Sequence, residues 1–218
     1  AESRFTAVYI DGVRLDSQST GGAGWEAIPL SLIERIEVLR GPAGAVYGSD
    51  ALGGVVQIFT RRGEAGVAPY VGVGVGSRGT YKMDAGISGA NGTLDYALGI
   101  ARDESDGFNA RPIAGQNPDA DGYRSTSGNA RLGLQINAAH RIEGTLLAND
   151  INSGYDNGLG KDDRNQHRLH ALGLHWQAQW SANYKTRLSV TDGRDQYETS
   201  PSPYLTETKL RGYLLQNE

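Results

Sequence analysis

The chain has 218 residues, of which 31 are glycine and none is cysteine, and its formal net charge is −4. The lack of cysteine excludes a disulfide framework and a cysteine-ligated metal site, and the net charge provides no basic surface for nucleic acid. No run of about 18 apolar residues occurs, which excludes a transmembrane helix, and the mean hydropathy of −0.46 fits either a soluble β protein or alternating barrel strands.

The first 62 residues predict a compact mixed segment. Residues 5–15 have the pattern of a strand that is interrupted by an Asp-Gly turn. A helical turn near 30–33 is expected to lead into a charged strand at 35–40. A glycine-dense turn follows at 41–54, and an apolar strand is expected at 55–60, ending at two arginines.

After Gly63 the pattern changes to alternating polar and apolar residues, which is typical of strands with two different faces. We therefore place a domain boundary here and predict one domain at 1–65 and a second at 66–218. Eight strands are expected in the second domain, at 71–76, 81–88, 94–101, 130–137, 142–149, 170–180, 184–191 and 206–215.

The connections between these strands are predicted to alternate between short turns and long polar loops. Outer-membrane barrels combine short periplasmic turns with longer outward loops, whereas a soluble sandwich has no reason to keep such an asymmetry. One face of every strand should then contact lipid. The short turns are expected at 90–92, 138–140 and 181–183, and the long loops at 103–126, 150–166 and 194–205.

The stretch IERIEVLRGPAGAVYGSDALGGVVQIFTRR, residues 33–62, carries the most specific signal in the chain. Together with VYIDGVRLD before it, this stretch resembles the second half of the plug domain of TonB-dependent outer-membrane receptors. Within that superfamily the chain is most similar to the vitamin B12 (cobalamin) transporters. The motif residues are Arg35, Glu37, Arg40, Gly41, Pro42, Tyr47, Gly48, Gly53, Gly54, Arg61 and Arg62.

The resemblance implies a mainly β fold, in which a partial plug precedes about eight antiparallel strands of a 22-stranded barrel. It implies a receptor in the outer membrane of a Gram-negative bacterium and no enzymatic activity. The expected partners are a TonB-type energy-coupling protein, cobalamin or another scarce nutrient, and outer-membrane lipid, but no nucleic acid. Eight strands alone could also close a small barrel or exchange strands in an oligomer.

The plug stretch has an unusual density of charge for a strand pair. A plug inside a polar lumen should present charges to the inward face of the barrel wall, which is itself polar. We therefore expect Glu34, Arg35, Glu37, Arg40, Arg61 and Arg62 to face that wall.

The loop at 103–126 is a candidate calcium site. Its Asp-Ala-Asp-Gly stretch supplies hard oxygen ligands on a turning backbone, which suits Ca²⁺, although a solvated polar loop is the alternative. The resemblance implies ligands at Asp119 and Asp121 and one from the next loop, at Asp162 or Asp163. It also places Asn109 where the family has an aspartate. We expect no redox cofactor.

Other patterns carry no chemistry. His167 and His175 lie on a different face from His170, because successive strand residues point to opposite sides, so interfacial positions are favoured over a metal triad. The glycine-rich turn lacks the Lys-Ser/Thr pair of a phosphate loop. A siderophore or haem receptor of the same superfamily, and a soluble β-rich binding module, remain the alternative functions.

Overall fold

The computed structural model describes residues 5–48, 50–115, 117–158 and 160–218. Ser49 of the glycine-rich motif, and Gln116 and Leu159 of the predicted loops, lie outside the described residues. The described residues form a four-stranded sheet, here called the plug sheet, and an eight-stranded sheet, here called the wall. Within them, no helix is long and apolar enough to cross a membrane.

The plug sheet has the strand order β2-β1-β4-β3. Its first strand pairs antiparallel with β2 and parallel with β4, and β3 pairs antiparallel with β4. The elements are β1 Thr6–Ile10, β2 Val13–Leu15, 3₁₀ turns at Trp25–Ala27 and Leu30–Leu32, β3 Ile33–Arg40, α1 Gly44–Tyr47 and β4 Gly54–Thr60. The predicted strands, Asp-Gly turn and helical turn are confirmed.

Two turns of the plug sheet depend on left-handed backbone. Asp11 (φ 48°) and Gly12 (φ 83°) close the hairpin between β1 and β2, as expected for an Asp-Gly pair in a two-residue turn. Gly54 has φ 145°, and a Cβ at that position would collide with the carbonyl oxygen of Leu39. The first of these turns carries the plug's main contact with the wall.

The wall is an antiparallel meander in which each strand pairs with its neighbours in the chain. Among the described residues no pairing joins β5 to β12, so the eight strands form an open sheet. The strands are β5 Gly66–Val75, β6 Tyr81–Ala90, β7 Leu94–Phe108, β8 Asp121–Gln135, β9 His140–Asp156, β10 Asp162–Ser181, β11 Tyr184–Ser200 and β12 Tyr204–Asn217.

The predicted number, order and antiparallel pairing of the wall strands are confirmed, but the predicted loop lengths are wrong. The regions 103–126, 150–166 and 194–205 contain connections only at 109–120, 157–161 and 201–203. The strands continue past the apolar band with polar side chains on both faces. In these outer parts of the strands the hydrophobic alternation disappears while the backbone pairing persists. Their sequence therefore has the polar pattern of a loop.

The two faces of the wall differ as predicted. One face packs against the plug sheet, where Ile10, Val13 and Leu32 share a buried cluster with Leu147 and Leu169 of the wall. The opposite face exposes the predicted apolar side chains by 40–83%. These outward residues are Val71, Val73, Val75, Leu94, Leu98, Leu132, Leu134, Leu172 and Leu174.

An arginine on the outward face should be costly at mid-height and tolerated near a turn. Leu146 lies six residues from the start of β9, about 14 Å above the turn for a strand tilted by 45°, which is near the middle of an apolar band ~25 Å tall. We expect Leu146→Arg to lower the free energy of unfolding by about 2–4 kcal/mol and Leu134→Arg, beside the 136–139 turn, by about 0–1 kcal/mol. Urea titration in phospholipid vesicles measures both values, and equal costs would contradict the assigned depth.

Candidate functional site at the interface of plug and wall

The strongest polar contact between plug and wall is a buried ion pair between Asp11 and Arg131. Their side chains are 4% and 1% exposed, respectively. Asp11 also accepts hydrogen bonds from Thr60, from the backbone nitrogen at 3.1 Å and from the hydroxyl at 2.6 Å. Arg131 also donates to Glu143 at 2.8 Å. Each member of the pair therefore has a second partner on its own side of the interface.

Charges of alternating sign extend from this pair along the wall. Glu143 accepts from Arg141 at 3.1 Å, and Arg141 reaches Asp95 at 2.7 Å. Arg131 is on β8, Glu143 and Arg141 are on β9, and Asp95 is on β7. Three neighbouring strands thus hold Arg131 in place without help from the plug.

The same turn is held by a second wall residue. The His175 ring nitrogens contact the backbone oxygen of Asp11 at 3.1 Å and the hydroxyl of Ser189 at 2.9 Å. A carbonyl oxygen can only accept, so Nε2 donates to Asp11, while Nδ1 shares a hydrogen bond with the Ser189 hydroxyl. The imidazole therefore ties the turn to both β10 and β11 of the wall.

A second polar cluster joins the following plug segment to the wall. Asp195 accepts from the Ser17 hydroxyl at 2.5 Å and from His167 Nε2 at 2.7 Å, and His167 Nδ1 lies 2.9 Å from Glu26. Because two carboxylates accept from the two ring nitrogens, both nitrogens carry protons and the ring is an imidazolium. The hydrogen bond from His167 lowers the pKa of Glu26, against the opposing effect of burial.

This second cluster requires close backbone approach. A Cβ at Gly24 would collide with the His167 ring, so glycine is needed where the chain passes that ring. Three residues after Gly24, the backbone oxygen of Ala27 accepts a hydrogen bond from Asn149 of β9 at 2.7 Å, and the side-chain oxygen of Asn149 accepts from Ser125 at 2.9 Å. The segment before β3 is therefore fixed by side chains from two wall strands, β9 and β10.

The residues of the glycine-rich motif lie mostly away from the described wall. Arg35 bonds Glu37 at 2.8 Å and covers the ring of Phe59, and β3, including Arg40, is exposed. Tyr47 packs against Tyr9 within the plug. Gly41 and Gly48 have positive φ, Pro42 is exposed, and Gly53 donates to the Phe5 carbonyl at 2.8 Å.

Among the described residues, only one of the plug-stretch charges makes a side-chain contact with the wall. The guanidinium of Arg61 lies 4.0 Å from the ring centroid of Tyr70 on β5, whereas the Arg62 backbone donates to Glu34 within the plug at 3.0 Å. The residues that do build the interface, Asp11, Ser17 and Glu26, were missed. The sequence feature that could have pointed to them is Arg131, a charged residue at an inward-facing position of β8.

The acidic loop residues gather near the tips of β8, β9 and β10. Asp156, which the sequence analysis missed, is within electrostatic reach of Asp121, Asp119 and Asp162. Both of its carboxylate oxygens are buried and have no hydrogen-bond partner among the described residues. Asp163 instead points inward and accepts from Asn157 at 2.7 Å.

The loop itself is closed by hydrogen bonds. The Asn109 amide donates to the backbone oxygen of Asn117 at 3.2 Å, and its oxygen accepts from the Arg111 backbone. Asp121 accepts from the backbone nitrogen of Ala110 at 3.0 Å. In the part of the chain that is described, no three His, Cys, Asp or Glu side chains stand close enough together to hold a metal ion.

Comparison with known proteins accounts for both sheets. The family model "TonB-dependent Receptor Plug Domain" matches residues 1–55. The vitamin B12 transporter BtuB of Photobacterium profundum is 34% identical over 159 residues, which is 72% of this chain and 26% of that protein. The BtuB of Vibrio cholerae is 33% identical over 161 residues, with the same shares. The chain belongs to the TonB-dependent receptors.

Solved structures of outer-membrane receptors share the fold of this chain. The ferric enterobactin receptor PfeA of Pseudomonas aeruginosa has a TM-score of 0.75 at 18% identity, covering 98% of this chain and 38% of that one. The siderophore receptor PirA of Acinetobacter baumannii has a TM-score of 0.69 at 19% identity, covering 98% and 36%. This chain spans about a quarter of the length of its curated relatives. It is located in the outer membrane of a Gram-negative bacterium.

In this receptor chain, removing Arg131 should release the plug more than removing Asp11. Arg131→Met leaves Asp11 buried without a counter-charge, which costs about 3–5 kcal/mol for a broken buried pair. Asp11→Asn should cost less, because Arg131 keeps Glu143. Tryptic cleavage after Arg14, which requires β2 to leave the wall, measures the opening free energy. The double variant should recover part of the loss, and strictly additive costs would contradict a coupled pair.

The contact between Glu26 and His167 should weaken in acid. The pKa of Glu26 lies below its ordinary value of 4.5, so its contribution is present above that value and is lost as pH falls through the lowered pKa. Since the chain has no cysteine, one spin label can be attached at Thr20→Cys in the plug and a second at Glu198→Cys in the wall of the same molecule. Their distance distribution should broaden in acid. Glu26→Gln should be broad already at neutral pH, whereas a Glu37→Gln control that behaved the same way would contradict the assignment.

Proposed function

We propose that this chain is the plug-and-wall part of a receptor that takes up cobalamin across the outer membrane, with movement of the plug driven by a TonB-type inner-membrane partner. The substrate is supported by the two relatives above, which match 72% of the chain and are named vitamin B12 transporters. The names of the relatives, transporters and receptors, support transport and not catalysis.

One observation carries the transport mechanism: each charged group on the wall keeps a partner when the plug leaves. Arg131 keeps Glu143, and His167 keeps Asp195. On the plug, Asp11 keeps both hydrogen bonds from Thr60. A buried charge left without a partner is strongly unfavourable. The retained partners therefore reduce the electrostatic cost of separating the two sheets.

The remaining contacts across the interface can be replaced by water. Glu26 is half-exposed, Ser17 has a second hydroxyl partner in Ser19 at 2.8 Å, and the Gln18 backbone donates to the Thr208 hydroxyl at 3.0 Å. The apolar part of the wall surface includes small residues such as Ala101 and Ala171, which limits the apolar area lost on separation. These features suit a plug that moves during each transport cycle.

A ferric siderophore is the second candidate substrate, because the solved receptors of the same fold include those for ferric enterobactin and ferripyoverdine. Those proteins are 12–19% identical to this chain, which supports the shared fold but not a shared substrate. The higher identity to the vitamin B12 transporters favours cobalamin.

A chimeric receptor tests the substrate. The matching region of the Vibrio cholerae vitamin B12 transporter is replaced by this chain, and uptake of radiolabelled cobalamin is measured in a Gram-negative strain that lacks its own transporter. We expect energy-dependent cobalamin uptake. A chimera that reaches the outer membrane folded but imports only ferric siderophore would contradict the proposal.

We propose that binding of a calcium ion draws together the carboxylates at the tips of β8, β9 and β10, which in the described structure do not converge on a metal site, and so fixes the 109–120 loop. The support is the buried carboxylate of Asp156, which has no hydrogen-bond partner among the described residues, and the nearby charges of Asp119, Asp121 and Asp162. Carboxylate oxygens are the ligands that Ca²⁺ prefers, and the ion would offset their repulsion. Asn109 would supply a neutral oxygen, and Asp163, already bonded to Asn157, is the weaker candidate.

Removing the carboxylates of this cluster should abolish calcium binding. In calorimetry, Asp156→Asn and the pair Asp119→Ala with Asp121→Ala are expected to lose the heat of Ca²⁺ binding. Asp150→Asn, on the outward face of β9, serves as the control and should bind as the unmodified protein does. Absence of binding to the unmodified protein at millimolar Ca²⁺, or unchanged binding in Asp156→Asn, would contradict this site.

A further inference from the structure

The short turn between β6 and β7 holds the side chain of Asn91 by its oxygen. That oxygen accepts hydrogen bonds from the backbone nitrogens of Thr93 at 3.2 Å and Leu94 at 2.9 Å. Fixed backbone N–H groups of this kind stabilise negative charge that develops on a carbonyl oxygen. Asn91 is also exposed, so water reaches its amide group.

The residue after Asn91 is the one that hinders an intramolecular reaction least. Gly92 has no Cβ to obstruct an approach of its backbone nitrogen to the side-chain carbon of Asn91. It has φ 86°, and no atom lies within 4 Å of the place where a Cβ would stand. A nucleophilic nitrogen and an activated amide carbonyl are therefore neighbours in an unobstructed turn.

We propose that Asn91 is a site of self-modification, in which the turn converts the amide into a carboxylate. The backbone nitrogen of Gly92 forms a bond to Cγ of Asn91 and gives its proton to hydroxide. The bond from Cγ to the amide nitrogen breaks, and that nitrogen takes the electron pair and a proton from water and leaves as ammonia. Water then opens the cyclic imide at either carbonyl, which yields aspartate or isoaspartate without any oxidation or reduction.

The turn between β8 and β9 has the same hydrogen-bond donors but lacks the glycine. The side-chain oxygen of Asn137 accepts from the backbone nitrogens of Ala139 and His140, both at 2.9 Å. The next residue is Ala138, whose Cβ hinders the attacking nitrogen. Asn137 should therefore react slowly, although its carbonyl is held as that of Asn91 is.

The turn between β9 and β10 has the glycine but a different contact at the amide. Asn157 precedes Gly158, and its amide nitrogen donates to the carboxylate of Asp163 at 2.7 Å. A negative charge beside the amide opposes the negative charge that the reaction develops on its oxygen. Asn157 should therefore react more slowly than Asn91 while the protein is folded.

The modified turn borders the segment that joins the two sheets. Ala65 of this segment forms a bridge with Ala90, the residue before Asn91, and a Cβ at Gly63 would collide with the backbone oxygen of Gly89. Conversion of Asn91 adds a negative charge at this contact, and the isoaspartate product also lengthens the backbone. The change is irreversible, so it would accumulate with the age of the molecule, whatever substrate the receptor transports.

Rates at the three asparagines of one protein sample test the proposal. The protein is kept in detergent in mildly alkaline water enriched in heavy oxygen, which labels each new carboxylate. Trypsin then separates the sites on peptides that end at Arg102, Arg141 and Lys161. Because hydrogen bonds to a charged oxygen are stronger than those to a neutral one, we expect Asn91 to react at least about tenfold faster than the other two. An equal or faster rate at Asn157 would overturn the proposal.

Two further measurements separate the effect of the fold from that of the sequence. In urea the donors to Asn91 are lost, so its rate and that of Asn157 should agree within about twofold. A preference for Asn91 that persisted in urea would contradict a role of the turn. Ala138→Gly supplies the missing glycine and should raise the rate at Asn137 about tenfold or more, with Asn91 as the internal control. An unchanged rate at Asn137 in the folded variant would also overturn the proposal.

Discussion

The buried pair between Asp11 and Arg131 is the contact on which the arrangement of the two sheets depends. A charge inside a protein must be paired and hydrogen-bonded, and here both ions lie where a polar plug meets a polar wall. Asp11 is fixed by the left-handed turn at the end of β1, by Thr60 at the end of β4 and by its backbone bond to Ile58. Arg131 is fixed by Glu143 on the next strand. Two independently ordered sheets thus present matching charges to each other.

The same arrangement reconciles a specific interface with the plug movement proposed above. A purely apolar interface would stabilise the docked plug in proportion to the apolar area that it buries. That stabilisation would not weaken until the two surfaces separate. Directional contacts such as the one between Asn149 and Ala27 instead fix the register of the plug and can be exchanged for water. Glycine at position 24 serves the register as well, because a larger residue would not fit beside the His167 ring.

Much of the fold follows from the sequence, because strand periodicity is a local property. The Asp-Gly turn, the strand over 55–60 and the eight wall strands could be predicted from alternation and turn residues. Strand lengths could not, since residues such as Asp150 and Arg168 continue the ladder with polar side chains on the outward face. The contacts between plug and wall could not be predicted from the sequence either. Asp11 and Arg131 are 120 positions apart, and nothing local shows that they meet. Asp156 was missed because the periodicity predicted that this strand ends at residue 149, whereas β9 continues to Asp156.

The central claim is that the plug leaves the wall as a unit while the wall keeps its charges paired. Urea titration of the protein in detergent tests it most directly, with spin labels on plug and wall reporting separation and far-ultraviolet circular dichroism reporting the β structure of the wall. The account predicts that the label distance is lost at a lower urea concentration than the dichroism, and that lowering the urea restores the distance. A single transition in which both signals change together would contradict it.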